Sequence, residues 1–232
     1  MDDRKALAII DKVFEAIFLN KNNQSLEEII NKYAFDIKLP QAVYDATTNE
    51  QTWTSLTHST RYMTNANIEK KDGITGWMQP KKEVNSLEEI VELWKSIDYS
   101  ATERVYNSEN VIKSDPIYRS ENVYQCTNCG DSKNIIFCDG CYNSTYTVAS
   151  QRSDNINFCI RVDDSNSCSN SYSVICSSKI SNSFFIQDCA NLIECMFCSH
   201  ISNKSYCIAN MQFEKEEYFE IKEEIIKWIL NS

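Results

Sequence analysis

Two Cys-x-x-Cys pairs, Cys126-Thr-Asn-Cys129 and Cys138-Asp-Gly-Cys141, stand eight residues apart and have the clearest capacity for chemistry in this chain. Four thiolates at such spacing can wrap a tetrahedral zinc ion, and Gly130, directly after Cys129, suits the turn that aims backbone amides at the sulfurs. Cys195-Met-Phe-Cys198 is a further candidate pair. Asp163 and Asp164, with Asp154 and Asp188, are carboxylates of the kind that bind calcium or line the flank of a polysaccharide-degrading solenoid. Arg152 and Arg161 fall among them, as expected if solvated corner charges simply screen one another. His58 and His200 are the only histidines, so general bases with an orienting partner are scarce. With four glycines in all, the chain carries neither a phosphate-cradling loop nor a Gly-x-Ser-x-Gly turn.

The elements that must position these residues divide the sequence. Residues 1–107 read as mainly helical. Leu7, Ile10, Phe14 and Ile17 fall at helical spacing, and Ser25-Leu-Glu-Glu28 and Ser86-Leu-Glu-Glu89 are capping boxes. The second box precedes an apolar stripe of Ile90, Leu93, Trp94 and Ile97. The threonine-rich stretch from Asp45 to Thr60 leaves the middle unassigned, and Gly73 to Pro80 reads as a loop around a buried Trp77.

From Ser108 the pattern changes. Ser108-Glu-Asn110-Val111, Ser120-Glu-Asn122-Val123 and Ser132-Lys-Asn134-Ile135 recur every 12 residues, and an Asn-x-x-x-Cys core starts at 122, 134, 155, 191 and 203. Short strands separated by Ser, Asn and Asp suit a parallel β-helix, or β-solenoid, with Asn taking the left-handed corners in place of glycine. Residues 108–213 are read as this solenoid, and residues 214–232 as a C-terminal capping helix with Tyr218, Ile221, Ile225, Trp228 and Ile229 on one stripe. Two repeat units per coil, about 22 to 24 residues, predict roughly four to five coils and a rod of about 20 Å, with helical parts of the chain covering its ends. The fold class is α+β.

All 11 cysteines lie between Cys126 and Cys207. An odd count without an export signal argues against a disulfide framework. Cys126 and Cys138 hold one place in consecutive repeats, and Cys159, Cys195 and Cys207 are read as holding it too, so core packing explains five cysteines together. No catalytic, cofactor-binding or metal residue is therefore assigned, and Cys126, Cys129, Cys138 and Cys141 are the ligands if zinc is bound. A net charge of −10 disfavours nucleic-acid partners. The apolar run from Ala6 to Leu19 is broken by Asp11, Lys12 and Glu15, so it reads as neither a signal peptide nor a membrane span. A soluble protein made in a cytoplasm is expected.

The ending Asn203-Lys-Ser-Tyr-Cys207-Ile-Ala-Asn-Met-Gln-Phe-Glu-Lys-Glu-Glu-Tyr218 resembles that of cysteine-rich, solenoidal proteins of low-GC tailed phages, and the Asn, Ile and Lys bias resembles crAss-like phage products. The resemblance implies a non-enzymatic virion protein, an auxiliary capsid or other head- or tail-associated component, made in the host cytoplasm and bound to partners such as the major capsid protein. The alternatives are an intracellular zinc-binding interaction module and a β-helix that binds or degrades polysaccharide. No catalytic or binding residue follows from the resemblance.

Overall fold

A computed structural model describes residues 1–59, 61–71 and 77–231. Residues 73–76 of the loop expected before Pro80 lie outside the described residues; Trp77 itself is half-buried, its ring 6.2 Å from that of Tyr99.

Two helices open the chain, α1 (Asp3–Phe18) and α2 (Leu26–Tyr33). Asp2 caps the first by accepting from the Lys5 amide, and Ser25 and Glu28 form the expected reciprocal box at the second. The unassigned middle folds into short strands β1 (Gln41–Tyr44), β2 (Gln51–Thr54) and β3 (Tyr62–Thr64), followed by α3 (Asn65–Lys71), α4 (Leu87–Lys95) and β4 (Ser100–Thr102). Buried Asp45 ties this unit together. It accepts from the Thr47, Thr48 and Thr64 amides, the Thr47 hydroxyl and Asn67 Nδ2 at 2.5–3.2 Å. Burial alone would raise its carboxyl, but the bonds from Thr47, Thr64 and Asn67 outweigh that and hold it below the usual range. Its contribution to stability is thus complete above the unfolded value of about 4 and is lost as pH falls through the depressed folded one. Acid titration followed by amide exchange should loosen the Thr47–Asn67 segment, and Asp45→Asn should flatten that acid limb.

From β5 (Val105–Tyr106) to β17 (Ser202–Ile208) the described residues form a parallel β-solenoid of about nine turns. The expected coil length is corrected: residues pair in register with those 12 further on, as in Lys133 with Thr145 and Cys195 with Cys207, so one repeat is one complete coil. Nine coils at strand spacing give a rod of about 40 Å, twice the expected length. The cause is a corner at every third residue. Left-handed φ values recur at Arg119 (44°), Asn122 (57°), Gln125 (51°), Asn128 (50°) and Asp131 (51°), and the same phase continues to Ala209 (49°). Asn takes many of these corners, as expected from its tolerance of that conformation. Four three-residue sides make a narrow, four-sided coil.

The residue after each corner points into a solenoid-internal core built from Val123, Cys126, Cys129, Ile135, Cys138 and their successors. Outside, one flank carries the row Tyr124, Ile136, Val148, Ile160, Tyr172, Phe184 and Met196, which is buried together with α1, α2 and the C-terminal helix α5 (Lys215–Asn231). Phe18 and Tyr33 both meet Tyr172, with ring centroids 5.6 and 6.1 Å apart. The N-terminal helices therefore lie along the flank and not over an end, because the apolar surface needing cover is a lengthwise row. α5 starts at the last coil, where Tyr218 meets Tyr206 at 5.6 Å, and then joins the flank. There Lys222 donates to Glu194 at 2.6 Å and to the Asn182 carbonyl at 3.1 Å, and Lys32 Nζ of α2 donates to the Ile229 carbonyl at 2.9 Å. In α5, Tyr218 and Ile229 of the predicted stripe are buried and Ile221 and Ile225 pack against the same core, while Trp228 is 56% exposed and Ile226 is buried instead. The last coil is also bordered by β18 (Met211–Gln212), which pairs antiparallel with β17.

Candidate functional site

The four zinc-candidate cysteines are brought together. Cys126 and Cys138 are stacked in one inward row, Cys129 and Cys141 in the next, and all four have no exposed surface. Cys126 reaches both Cys129 and Cys138, and Cys141 reaches the same two, closing a ring of four sulfurs over two coils. Cys159, Cys195 and Cys207 are inward too, but on another side of the coil, since each lies a multiple of 12 from the others and not from Cys126. The expected single place is thus two rows, a correction that follows from the four equal sides. Cys176 falls on a corner and is exposed.

The thiols have partners within the lumen. Cys126 Sγ donates to the Tyr124 carbonyl at 3.3 Å and accepts from the Cys138 amide at 3.3 Å; Cys129 Sγ donates to the Thr127 carbonyl at 3.0 Å. Serines act alike elsewhere. Ser132 Oγ donates to the Gly130 carbonyl at 2.8 Å and accepts from the Ser144 amide at 3.1 Å, and Ser165 Oγ accepts from the Ser177 amide at 2.9 Å. A small side chain that both donates and accepts fills the lumen and satisfies the amide one coil further on, which an aliphatic residue cannot do. Burial pushes the Cys126 thiol well up and Cys168 to about 11, whereas at Cys129 burial is outweighed by the bonds from Cys126 and Cys141, which lower it to about 6, and the bond from Cys195 lowers Cys198 to about 7. It is enclosure in the lumen, not a uniformly neutral state, that keeps these thiols from reagents. Among the described residues no group of three or more His, Cys, Asp or Glu side chains is arranged to hold a metal ion. A thiol reagent should therefore modify one cysteine, Cys176, rapidly in the native protein and all 11 after denaturation. Several fast thiols in the native state would mean that the lumen opens.

The flank carboxylates are paired. Asp163 accepts from Arg152 at 2.6 Å and from Gln151 at 3.2 Å, and Asp164 takes the same guanidinium at 2.8 and 3.0 Å. Asp154 accepts from Asn143 at 2.7 Å. Arg161 does not screen these acids as expected: it grips Asp36 at 3.0 and 2.9 Å and donates to the Tyr33 carbonyl at 2.7 Å, fastening the end of α2 to the solenoid. The cavity beside Asp163 and Arg161 measures about 40 Å³, room for a water but not for a sugar. His58 and His200 are both exposed, and His200 Nδ1 lies 3.9 Å from Asp188.

Two features escaped the sequence reading. Asp115 is fully buried and accepts from the Arg104 amide, Nε and Nη2, each at 2.9 Å, and from the Ser55 amide at 2.9 Å, so it rivets the end of β2 to the first coil. Its donors lie 11 and 60 residues away, and no local pattern announces them. The second is α4, whose apolar stripe stays in solvent.

Fold and site define a β-solenoid with a four-sided, 12-residue coil and a lumen of alternating hydroxyls, thiols and aliphatics. Comparison with family models, curated proteins and solved structures gives no match.

Proposed function

We propose that this chain is a non-enzymatic virion structural protein of a tailed phage, an auxiliary capsid or other head- or tail-associated component that docks on a lattice of partners such as the major capsid protein. The observation that carries the structural half of this reading is the filled, internally bonded lumen: a rigid rod whose inward groups are satisfied is a spacer with faces, and its candidate carboxylates Asp163 and Asp164 are held in ion pairs with Arg152. The virion half is supported by the resemblance of residues 203–218. A net charge of −10 argues against a nucleic-acid partner, and no helix among the described residues is long and apolar enough to cross a membrane. Quantitative mass spectrometry of purified particles should find this chain at a fixed ratio to the most abundant capsid subunit, retained through washing. Its absence from particles, with abundant protein in the infected cell, would defeat the reading.

A second reading is an intracellular interaction module that holds zinc through Cys126, Cys129, Cys138 and Cys141; the four sulfurs are neighbours over two coils, but no group among the described residues is arranged to hold a metal ion, so they would have to give up their lumen bonds and regroup around it. One equivalent of zinc in purified protein, lost when those four are changed to serine, would support it over the first.

A further inference from the structure

We infer that the first coil is an open docking end, and that its occupant is a segment of another protein that adds one parallel strand beside β6 (Glu109–Ile112) and sets a lysine or arginine in register with Glu109. This deepens the docking role proposed above and rests on it. The two ends of the rod differ. Beside the last coil lie β18 and the start of α5, and inward Cys207 is buried. The first coil is covered where the β1–β4 unit reaches Asp115 through Ser55, so Ser114 and Asp115 are buried. Elsewhere its inward Val105, Ser108 and Val111 stay half-buried, while Ile117, Ser120 and Val123 one coil further on are buried. β6 pairs with β8 (Glu121–Tyr124) on one edge and, among the described residues, with nothing on the other. An uncovered strand edge is a template for another chain.

The ladders that stop at this edge select the occupant. The Glu121 amide donates to the Ser132 carbonyl at 3.0 Å and the Glu109 amide to the Ser120 carbonyl at 2.9 Å, while the Ser108 carbonyl has no such donor among the described residues. The Ser132 amide donates to Ser120 Oγ at 3.1 Å and the Ser120 amide to Ser108 Oγ at 2.9 Å, which leaves the Ser108 amide as the end of that row. Asn122 Nδ2 donates to Asn134 Oδ1 at 2.8 Å and Asn110 Nδ2 to Asn122 Oδ1 at 3.2 Å, so Asn110 Oδ1 is the next acceptor in line. Tyr106 stacks on Tyr118 with ring centroids 5.3 Å apart and is 38% exposed, its second face carrying no ring. The charge row is unbalanced: Glu109 and Glu121 are register partners, and Glu121 takes Lys133 at 2.6 Å, whereas Glu109 has no cation among the described residues.

One parallel strand continues all of these rows if it carries an aromatic residue at the place of Tyr106, serine at that of Ser108, lysine or arginine at that of Glu109, asparagine at that of Asn110 and valine or isoleucine at that of Val111. Its corners must follow the left-handed turns at Asn107 (49°) and Asn110 (55°), which again suits asparagine. Main-chain bonds then supply affinity and the side-chain rows choose the partner. Two copies of this chain meeting by these ends would bring like acidic rows together, each on a chain of net charge −10, and the far end of a second copy is bordered by β18 and α5.

The test uses the full chain and a fluorescently labelled peptide of the order Tyr-Asn-Ser-Lys-Asn-Val-Ile, beside one with glutamate in place of the lysine and one methylated on the lysine amide nitrogen that should bond the Ser108 carbonyl. At low ionic strength the lysine peptide should bind about fivefold or more tightly than the glutamate peptide, as expected when an exposed pair passes from attraction to repulsion. The methylated peptide should lose binding, since its side chains remain but the ladder bond does not. On the Glu109→Lys protein the order of the lysine and glutamate peptides should reverse. Glu109 is exposed, and unchanged circular dichroism and melting confirm that the variant folds. Equal binding of the first two peptides, an unaltered order on the Glu109→Lys protein, or undiminished binding of the methylated peptide overturns the inference. So does self-association of the wild-type chain in sedimentation that the lysine peptide displaces, since the occupant is then a second copy. The two proposals fail separately: a peptide series without preference removes the open end and leaves the virion role standing, and particles lacking the wild-type chain remove the virion role whatever the peptides do.

Discussion

Asp115→Ala should be the most damaging single substitution in this protein, costing about 3 to 5 kcal/mol where the side chain is fully buried and paired. The carboxylate collects four N–H donors from Arg104 and Ser55 and the Ser55 hydroxyl at 3.1 Å. Removing it leaves two backbone amides without an acceptor and a guanidinium, only 25% exposed, whose remaining acceptor is the Ser55 hydroxyl at 3.1 Å. Asp115→Asn should recover part of the loss, since one oxygen survives but the bidentate pairing does not. The readout is twofold. Urea unfolding measures the total, and amide exchange should show β2 and β4 opening while the coils beyond Cys159 keep their protection. A loss below about 1 kcal/mol would mean that the guanidinium finds water, as surface pairs do.

Ser132→Ala comes next, at about 1 to 3 kcal/mol, because it strands the buried Ser144 amide, while the Gly130 carbonyl loses the hydroxyl but keeps the Asn143 amide at 3.2 Å. Ser132→Cys should cost under about 1 kcal/mol, since a thiol replaces the hydroxyl in the same double role, more weakly. The stacked Cys126 and Cys138 are the native precedent, with the Cys138 amide on the Cys126 sulfur. Ser132→Val supplies apolar volume without an acceptor. If it is as stable as the cysteine variant in thermal melts, lumen chemistry is packing alone and the bonding argument fails.

That distinction also explains what could be read in advance. The 12-residue repeat, the solenoid and the asparagine corners were legible, because Ser-x-Asn-aliphatic recurs without a gap from Ser108 to Ile135. The coil length was not. A strand reading looks for apolar residues facing inward, and here Ser120, Ser132 and Ser144 are buried alongside Val123 and Ile135. Once hydroxyls count as interior, a period of three emerges: Cys126, Cys129, Ser132, Ile135, Cys138 and Cys141 are consecutive inward positions. The four zinc candidates are thus neighbours for a reason the repeat supplies, before any metal is considered. The capping boxes at Ser25 and Ser86 marked both helix starts, yet an amphipathic stripe says only that a face wants cover. In α1 it finds the solenoid flank, and in α4 it finds solvent. Asp115 stayed hidden because its donors come from the end of β2 and from Arg104, just before the first coil.

The corner at every third residue restricts how this gene can change length. Losing or gaining three codons inside the solenoid keeps inward residues inward, but turns everything downstream through one side of the square. Tyr172, Phe184 and Met196 would then leave the flank that α1 and α5 cover. A change of one or two codons exposes the lumen itself. Only whole coils of 12 restore both phases at once, so natural length variants of this rod should differ by multiples of 12 residues, and shorter indels should be confined to the segments before Val105 and after Ala209.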